Sequence, residues 1–196
     1  MTIPMPAAVL AGGASRRMGT DKGGLAYGAG TLAAFQTARL AALFPEVWLV
    51  VKEEPRYDFG PARVLRDGTA ARAAAYGLRR ALAEADDRVF VLAVDVPAIA
   101  EPVIREVARA GLATRAPAVL PEADGRLQPL AAVWRRSVLP ELERRIATGD
   151  LSLHVLARGV GADVLPEEAW RPFDPSGNSF LDVNTLAEYA LLRERA

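Results

Sequence analysis

Short runs of purely apolar residues, each followed by a stretch with helical periodicity, constrain the fold of this 196-residue chain most strongly. The runs at 7–10, 47–51 and 89–94 lack the polar alternation of a strand that faces water on one side. Such strands are buried on both faces and belong in a sheet that carries helices on both sides. The pattern therefore predicts one α/β domain over residues 1–196, a three-layer sandwich around a mostly parallel sheet.

The remaining elements follow the same alternation. Helices are predicted at 32–43, 70–85, 103–110, 138–147 and 186–195, and further strands at 63–65, 118–120 and 130–134. Residues 121–129 and 166–178 are rich in proline, glycine and aspartate, which predicts loops. The resulting order of strands and helices indicates a Rossmann-like sheet.

A glycine-rich loop with several cations comes directly after the first strand. Adjacent glycines let the backbone approach a ligand closely, and their N–H groups can hold anionic oxygens. The loop fits neither the P-loop pattern nor the dinucleotide fingerprint G-x-G-x-x-G. We predict a phosphate-binding loop here, formed by Leu10, Ala11, Gly12, Gly13, Arg16 and Lys22.

Two aspartates end predicted strands, Asp67 after the third and Asp95 after the fourth. Carboxyl ends of parallel strands meet at one edge of a sheet, so we expect both near the glycine loop. The Asp95 carboxylate suits Mg²⁺ that bridges phosphates. Capping of the next helix is the alternative role for Asp95, and a turn or N-cap role is nearly as well supported for Asp67.

Composition excludes several kinds of function. The 24 basic and 24 acidic residues cancel, which argues against a general binder of nucleic acid or membrane surfaces. The chain has no cysteine, and so neither a thiol nucleophile nor a thiolate metal site, which is compatible with a cytoplasmic location. Its one histidine, His154, lies in an apolar stretch, and we expect it to be partly buried and structural rather than catalytic.

Residues 10–22 read L-A-G-G-A-S-R-R-M-G-T-D-K, with every fixed position of the pattern L-A-G-G-x-S-x-R-M-G-x-D-K present. This loop resembles the signature of the molybdenum cofactor guanylyltransferases, a family of nucleotidyltransferases. Three later segments resemble further elements of that family in the same order: Asp95-Val96-Pro97, Gln128-Pro129-Leu130 and residues 180–185. Together these motifs extend over nearly the whole chain.

The resemblance implies a fold of the nucleotide-diphospho-sugar transferase type and transfer of GMP from GTP to the phosphate of molybdopterin, with Mg²⁺ and release of pyrophosphate. It also implies transient contact with molybdoenzymes or cofactor-synthesis proteins, and no nucleic-acid partner. The implied nucleotide-binding residues are Leu10, Ala11, Gly12, Gly13, Lys22, Asp67 and Asp95, with Asp95 at the metal. Arg16 and Lys22 would stabilise developing charge, and Gln128, Asp182 and Asn184 would face the acceptor.

Two departures from the family pattern leave open which nucleotide base the protein selects. The family's Gly-Pro-Leu-x-Gly loop is replaced by the alanine-rich segment 70–77, which keeps only the last glycine and is predicted as plain helix. Asp182 replaces the first asparagine of the late element. Gly13 favours guanylyl transfer, because cytidylyl relatives usually read Leu-Ala-Ala-Gly. A cytidylyltransferase, a nucleotidyltransferase for another phosphorylated metabolite and a non-catalytic nucleotide-binding protein remain alternatives.

Overall fold

The computed structural model describes residues 1–12, 22–71 and 73–182. Its ten strands are β1 (Ala7–Leu10), β2 (Ala26–Tyr27), β3 (Gly30–Thr31), β4 (Val47–Val51), β5 (Arg63–Arg66), β6 (Arg88–Ala93), β7 (Ala118–Ala123), β8 (Arg126–Leu127), β9 (Ala131–Arg135) and β10 (Asp163–Leu165) in this described part. Its α-helices there are α1 (Leu32–Ala41), α2 (Ala74–Glu84), α3 (Glu101–Ala113), α4 (Leu139–Ala147), α5 (Leu153–Val160) and α6 (Glu167–Trp170).

The main sheet has the order β10-β7-β9-β6-β1-β4-β5, and β8 pairs with β7 outside this path. The central strand β1 runs parallel to both of its neighbours, β4 and β6. Strand β9 lies antiparallel between β6 and β7. The sheet is therefore mostly parallel, as the continuous apolar runs predict. The short hairpin β2–β3 lies outside it and leads into α1.

Helices cover both faces of the sheet, which gives the predicted three layers. Successive residues of β1 point to opposite faces, so Val9 packs in one apolar cluster and Ala8 in the other. Helices α1 and α3 fill the first cluster, through residues such as Leu32, Leu40, Val103 and Val107. Helices α2, α4 and α5 fill the second, through Leu78, Leu82, Leu142 and Leu156.

The alanine-rich segment is not plain helix, because α2 begins at Ala74 rather than at residue 70. The Asp67 carboxylate accepts a hydrogen bond from the Thr69 N–H, and the Thr69 hydroxyl accepts one from the Ala71 N–H. These local bonds offer the backbone an alternative to helix, and Ala73 is extended with φ −151°. Alanine content alone overestimated the helix.

Helix α5 was not predicted, and the expectation that His154 is partly buried was wrong. The Ser152 hydroxyl caps the helix by accepting from the Val155 N–H, and Gly161 ends it at φ +70°. The His154 side chain lies on the exposed face of this helix, where its Nε2 is 3.1 Å from the Leu127 carbonyl oxygen. It is a surface residue because leucines occupy the buried face.

Both predicted loops contain regular structure. Strand β7 continues to Ala123, and Asp124 and Gly125 turn it into β8 with φ of 50° and 69°. Two residues with positive φ form the tight hairpin turn that an Asp-Gly pair favours. Helix α6 lies within 166–178. The predicted helix at 186–195 lies outside the described residues. Among the helices that the structure describes, none is long and apolar enough to span a membrane.

We expect Gly111→Ala to destabilise the fold. A Cβ at Gly111 would lie 2.6–2.7 Å from three side-chain atoms of Val133 on β9, so α3 and the sheet would have to separate. Overpacking of this kind costs about 1–3 kcal/mol. Gly159→Ala in α5 is the matched control, because its Cβ would meet only the flexible end of Arg145. Urea unfolding checks both variants, and equal stability of the two would contradict this packing.

We expect Asp174, in the loop that follows α6, to make the free energy of unfolding depend on pH. Burial alone would raise the pKa of Asp174, but hydrogen bonds from Ser176, Ser179 and Gly177 outweigh it and lower that pKa. Since the folded pKa is lowered, the stabilisation is present above the unfolded pKa of about 4 and is lost as the pH falls through the folded value. Asp174→Asn should cost about 1–3 kcal/mol at pH 7. The difference from wild type in urea unfolding should shrink below about pH 4, and a constant difference would exclude the carboxylate as its source.

Candidate functional site

A cavity of about 250 Å³ opens at the carboxyl ends of the central strands. Parallel α/β sheets bind ligands at this edge, at the point where the strand order reverses. Here the order reverses at β1, because β4 and β5 lie on one side of it and β6 lies on the other. The cavity is lined by the sequence-predicted residues Leu10, Ala11, Gly12, Lys22, Asp67 and Asp95. Val50, Ala73, Ala74, Gly77, Ala93, Val94 and Leu130 complete its wall.

Lys22 and Asp95 form an ion pair at one side of the cavity. The Lys22 Nζ lies 2.6 Å from Asp95 Oδ2, and the two side chains are 13% and 25% exposed. Asp95 lies in the turn after β6, which closes with a hydrogen bond from the Val96 N–H to the Ala93 carbonyl. Both charges thus reach solvent through the cavity and are accessible to a charged ligand.

A second ion pair joins Lys52 and Asp67, 2.6 Å apart. The Asp67 side chain is only 3% exposed, so the lysine compensates a nearly buried charge. The other carboxylate oxygen accepts from the Thr69 N–H, and Arg79 donates to the Asp67 carbonyl. Sequence reasoning missed Lys52. It follows β4 directly, so the strand-end rule that identified Asp67 and Asp95 also applies to it.

Gly12 passes close to this second pair. A Cβ there would lie 3.2 Å from Lys52 Cγ and 3.7 Å from Asp67 Oδ2, so the glycine gives the pair its room. The Ala11 N–H donates to the Val50 carbonyl at 2.9 Å and extends the sheet. That amide is therefore engaged, contrary to its predicted use for phosphate. The Gly12 N–H has no hydrogen-bond partner among the described residues.

Small residues at and just before the start of α2 form an apolar part of the cavity wall. Ala73, Ala74 and Gly77 line the cavity here. A Cβ at Gly77 would lie 3.3 Å from Leu10 Cδ1, so this glycine lets α2 pack closely on the end of β1. The part of the lining that these residues contribute is apolar.

Of the predicted acceptor-side residues, the two that the structure describes, Gln128 and Asp182, do not line this cavity. The Gln128 side chain donates to the Arg126 carbonyl, and only Leu130 of that segment reaches the cavity. Asp182 is exposed. Gly13, Arg16 and Asn184 lie outside the described residues.

The carboxylates of Asp67 and Asp95 could ligate a metal ion that is also bound by the phosphates of a ligand. Mg²⁺ usually takes one or two carboxylates and completes its shell with phosphate oxygens and water. Asp95 lines the cavity and has one oxygen paired with Lys22, whereas both oxygens of Asp67 are bonded, one to Lys52 and the other to the Thr69 N–H. Within the described ranges no group of three or more acidic, histidine or cysteine side chains encloses a metal by itself. Of these two aspartates, Asp95 is thus the one better placed to meet a divalent ion.

Comparison with known proteins gives matches over most of the chain. Residues 7–163 match the family model described as the MobA-like NTP transferase domain. A probable molybdenum cofactor guanylyltransferase of Chloroflexus aggregans is 31% identical over 195 residues, which cover 96% of this chain and 93% of that protein. Another, of Mycobacterium avium, is 34% identical over 189 residues and covers 92% and 93%.

A solved structure is also similar over almost its whole length. It is the molybdopterin-guanine dinucleotide biosynthesis protein A of Archaeoglobus fulgidus, with a TM-score of 0.85, 25% identity and coverage of 97% of this chain and 98% of that one. The family match includes β1, β4, β5 and β6, whose carboxyl ends carry Gly12, Lys52, Asp67 and Asp95. The chain therefore belongs to the MobA-like NTP transferase family of nucleotidyltransferases.

Proposed function

We propose that this protein transfers GMP from GTP to the phosphate of molybdopterin and releases pyrophosphate. The observation that carries the proposal is the cavity that places the Lys22–Asp95 ion pair beside Gly12. Two relatives that match more than nine-tenths of the chain bear the name of that guanylyltransferase, which supports the choice of substrates.

In this proposal the nucleotide occupies the cavity with its phosphates at the end of β1. The backbone around Gly12 approaches the triphosphate, because a glycine leaves no side chain in the way. We assign Leu10, Ala11 and Gly13 to the same loop, with Ala11 acting as a wall residue. Asp67, positioned by Lys52, contacts the nucleoside.

Charge neutralisation is the main catalytic requirement of nucleotidyl transfer. Lys22, and Arg16 from the same loop, would offset the negative charge that builds up as pyrophosphate leaves. Asp95 would hold the Mg²⁺. That ion, when bound, neutralises phosphate charge and orients the triphosphate.

The acceptor needs no general base from the protein. A phosphate monoester has its second pKa at about 6, so an oxygen of the acceptor phosphate is already ionised at pH 7. This oxygen attacks the α-phosphorus in line, a new P–O bond forms, and the bond to the β-phosphate oxygen breaks. The chain has no cysteine, and His154 lies on the surface helix α5 away from the cavity lining, which agrees with this chemistry.

We assign Gln128, Asp182 and Asn184 to the acceptor side. Gln128 precedes Leu130, which lines the cavity, so its segment leads from the surface to the nucleotide. Transient contact with molybdoenzymes or cofactor-synthesis proteins would allow the product to be passed on. Because the reaction consumes a nucleoside triphosphate, we place the protein in the cytoplasm.

Asp95→Asn should reduce pyrophosphate release from GTP and molybdopterin in the presence of Mg²⁺ by at least about 100-fold, since the neutral amide is a poor ligand for the ion. Asp163→Asn is the control, because Asp163 is an exposed residue of β10 bonded to Thr114. A coupled assay for pyrophosphate measures both variants. Turnover by Asp95→Asn at the wild-type rate would exclude Asp95 as the metal-binding residue.

Base selectivity is a separate prediction. A carboxylate beside an ammonium group, as in Asp67 and Lys52, can pair with the donors and the acceptor that guanine carries on one edge. We expect GTP to bind at least about tenfold more tightly than CTP, ATP or UTP, since a well-placed base contact is worth about 1–3 kcal/mol. Calorimetric titration with each nucleotide and Mg²⁺ tests this. Preference for CTP would favour a cytidylyltransferase, and GTP binding without turnover would favour a non-catalytic nucleotide-binding protein.

A further inference from the structure

Helix α1 donates side-chain hydrogen bonds to the segment that follows Asp95. Gln36 Nε2 donates to the Val96 carbonyl at 2.9 Å. Arg39 uses both ends of its guanidinium, with Nη1 donating to the Pro97 carbonyl at 2.9 Å and Nη2 to the Ile99 carbonyl. Three carbonyls in four residues are thus held by one helix.

These donors are unusual for their surroundings. Gln36 is only 1% exposed and lies between apolar residues on the buried face of α1. An amide in such a position costs free energy unless it is hydrogen-bonded, whereas leucine would bury without that requirement. The Arg39 guanidinium stacks on Phe35 at 5.1 Å, and burial lowers the pKa of Arg39. Arginine nonetheless keeps its charge at physiological pH, so both donors persist.

The same helix also holds the segment that carries Lys22. The Leu32 N–H at the start of α1 donates to the Leu25 carbonyl at 2.8 Å, and the Leu25 N–H donates to the Lys22 carbonyl at 3.2 Å. The two partners of the Lys22–Asp95 ion pair are 73 residues apart in the chain. Helix α1 is bonded to the segments of both, so it sets the distance between them.

We propose that Gln36 and Arg39 are positioning residues for nucleotidyl transfer, holding residues 96–99 so that the Asp95 carboxylate stays opposite Lys22 and ready for the metal ion. This inference rests on the metal-binding role proposed for Asp95. Groups that orient a metal ligand typically change metal affinity by about 10–100-fold when they are removed.

Thr37 provides a matched control on the same helix. It is fully buried, and its hydroxyl donates to the Phe59 carbonyl at 2.6 Å, with the Ala34 carbonyl as the alternative acceptor at 3.1 Å. Both carbonyls lie outside the Asp95 segment. Thr37→Val and Gln36→Leu each remove one buried donor from α1. If Gln36 has a purely structural role, the two variants should lose similar thermal stability and bind the metal ion equally well.

The test measures Mn²⁺ binding in the presence of GTP by electron paramagnetic resonance, alongside thermal unfolding of each variant. We expect Gln36→Leu to weaken Mn²⁺ binding about tenfold, and Thr37→Val to leave it unchanged at a similar loss of thermal stability. Arg39→Met should weaken it as well and keeps the test available if Gln36→Leu does not fold. Arg39→Lys should weaken it less, because one donor remains.

The outcomes separate this inference from the proposed function. Equal Mn²⁺ affinity of Gln36→Leu, Arg39→Met and Thr37→Val, with Asp95→Asn clearly weakened, would overturn the positioning role and leave Asp95 as the metal-binding residue. Wild-type Mn²⁺ affinity in Asp95→Asn would instead overturn the metal site on which both depend.

Discussion

The pairing of β1 with parallel neighbours on both edges is the constraint on which the rest of the structure depends. All four residues of β1 are buried, and its backbone is bonded to β4 on one side and to β6 on the other. The three strands therefore end at one level. Residues just beyond their ends, Gly12, Lys52 and Asp95, are brought to one cavity or its edge although they are far apart in the chain. The site is a consequence of this register.

Two lysine–aspartate ion pairs lie at that cavity, and in the proposed function they meet a polyanion that carries its own cation. Each pair is neutral as a whole, so the empty site does not hold a concentrated charge that would repel itself. The pairs differ in exposure, with Asp67 nearly buried and Asp95 open to the cavity. The partly exposed Asp95 is therefore the more accessible of the two carboxylates to a ligand. Burial of Asp67 makes its pair with Lys52 costly to break.

The secondary-structure predictions were wrong where a few local hydrogen bonds outweighed the average helix or loop propensity of a segment. Residues 70–73 are rich in alanine, but Thr69 and Asp67 satisfy the backbone as a turn and delay α2. Helix α5 is only eight residues long and depends on its Ser152 cap and on packing of its leucines, a signal too short for periodicity alone. The sequence pattern does not indicate the Asp124–Gly125 hairpin, because its strand β8 has only two residues.

The sequence by itself determined the α/β class, the strands β1 and β4 to the residue, and Asp67 and Asp95 as strand-end carboxylates. These features are local, or follow from the rule that parallel strands end together. Only the tertiary structure decided that Lys22 pairs with Asp95, that Lys52 pairs with Asp67, and that Gln36 and Arg39 hold the segment after Asp95. Such contacts join residues 15 to 73 positions apart, and their partners are chosen by packing of α1 and α2 on the sheet rather than by any pattern along the chain.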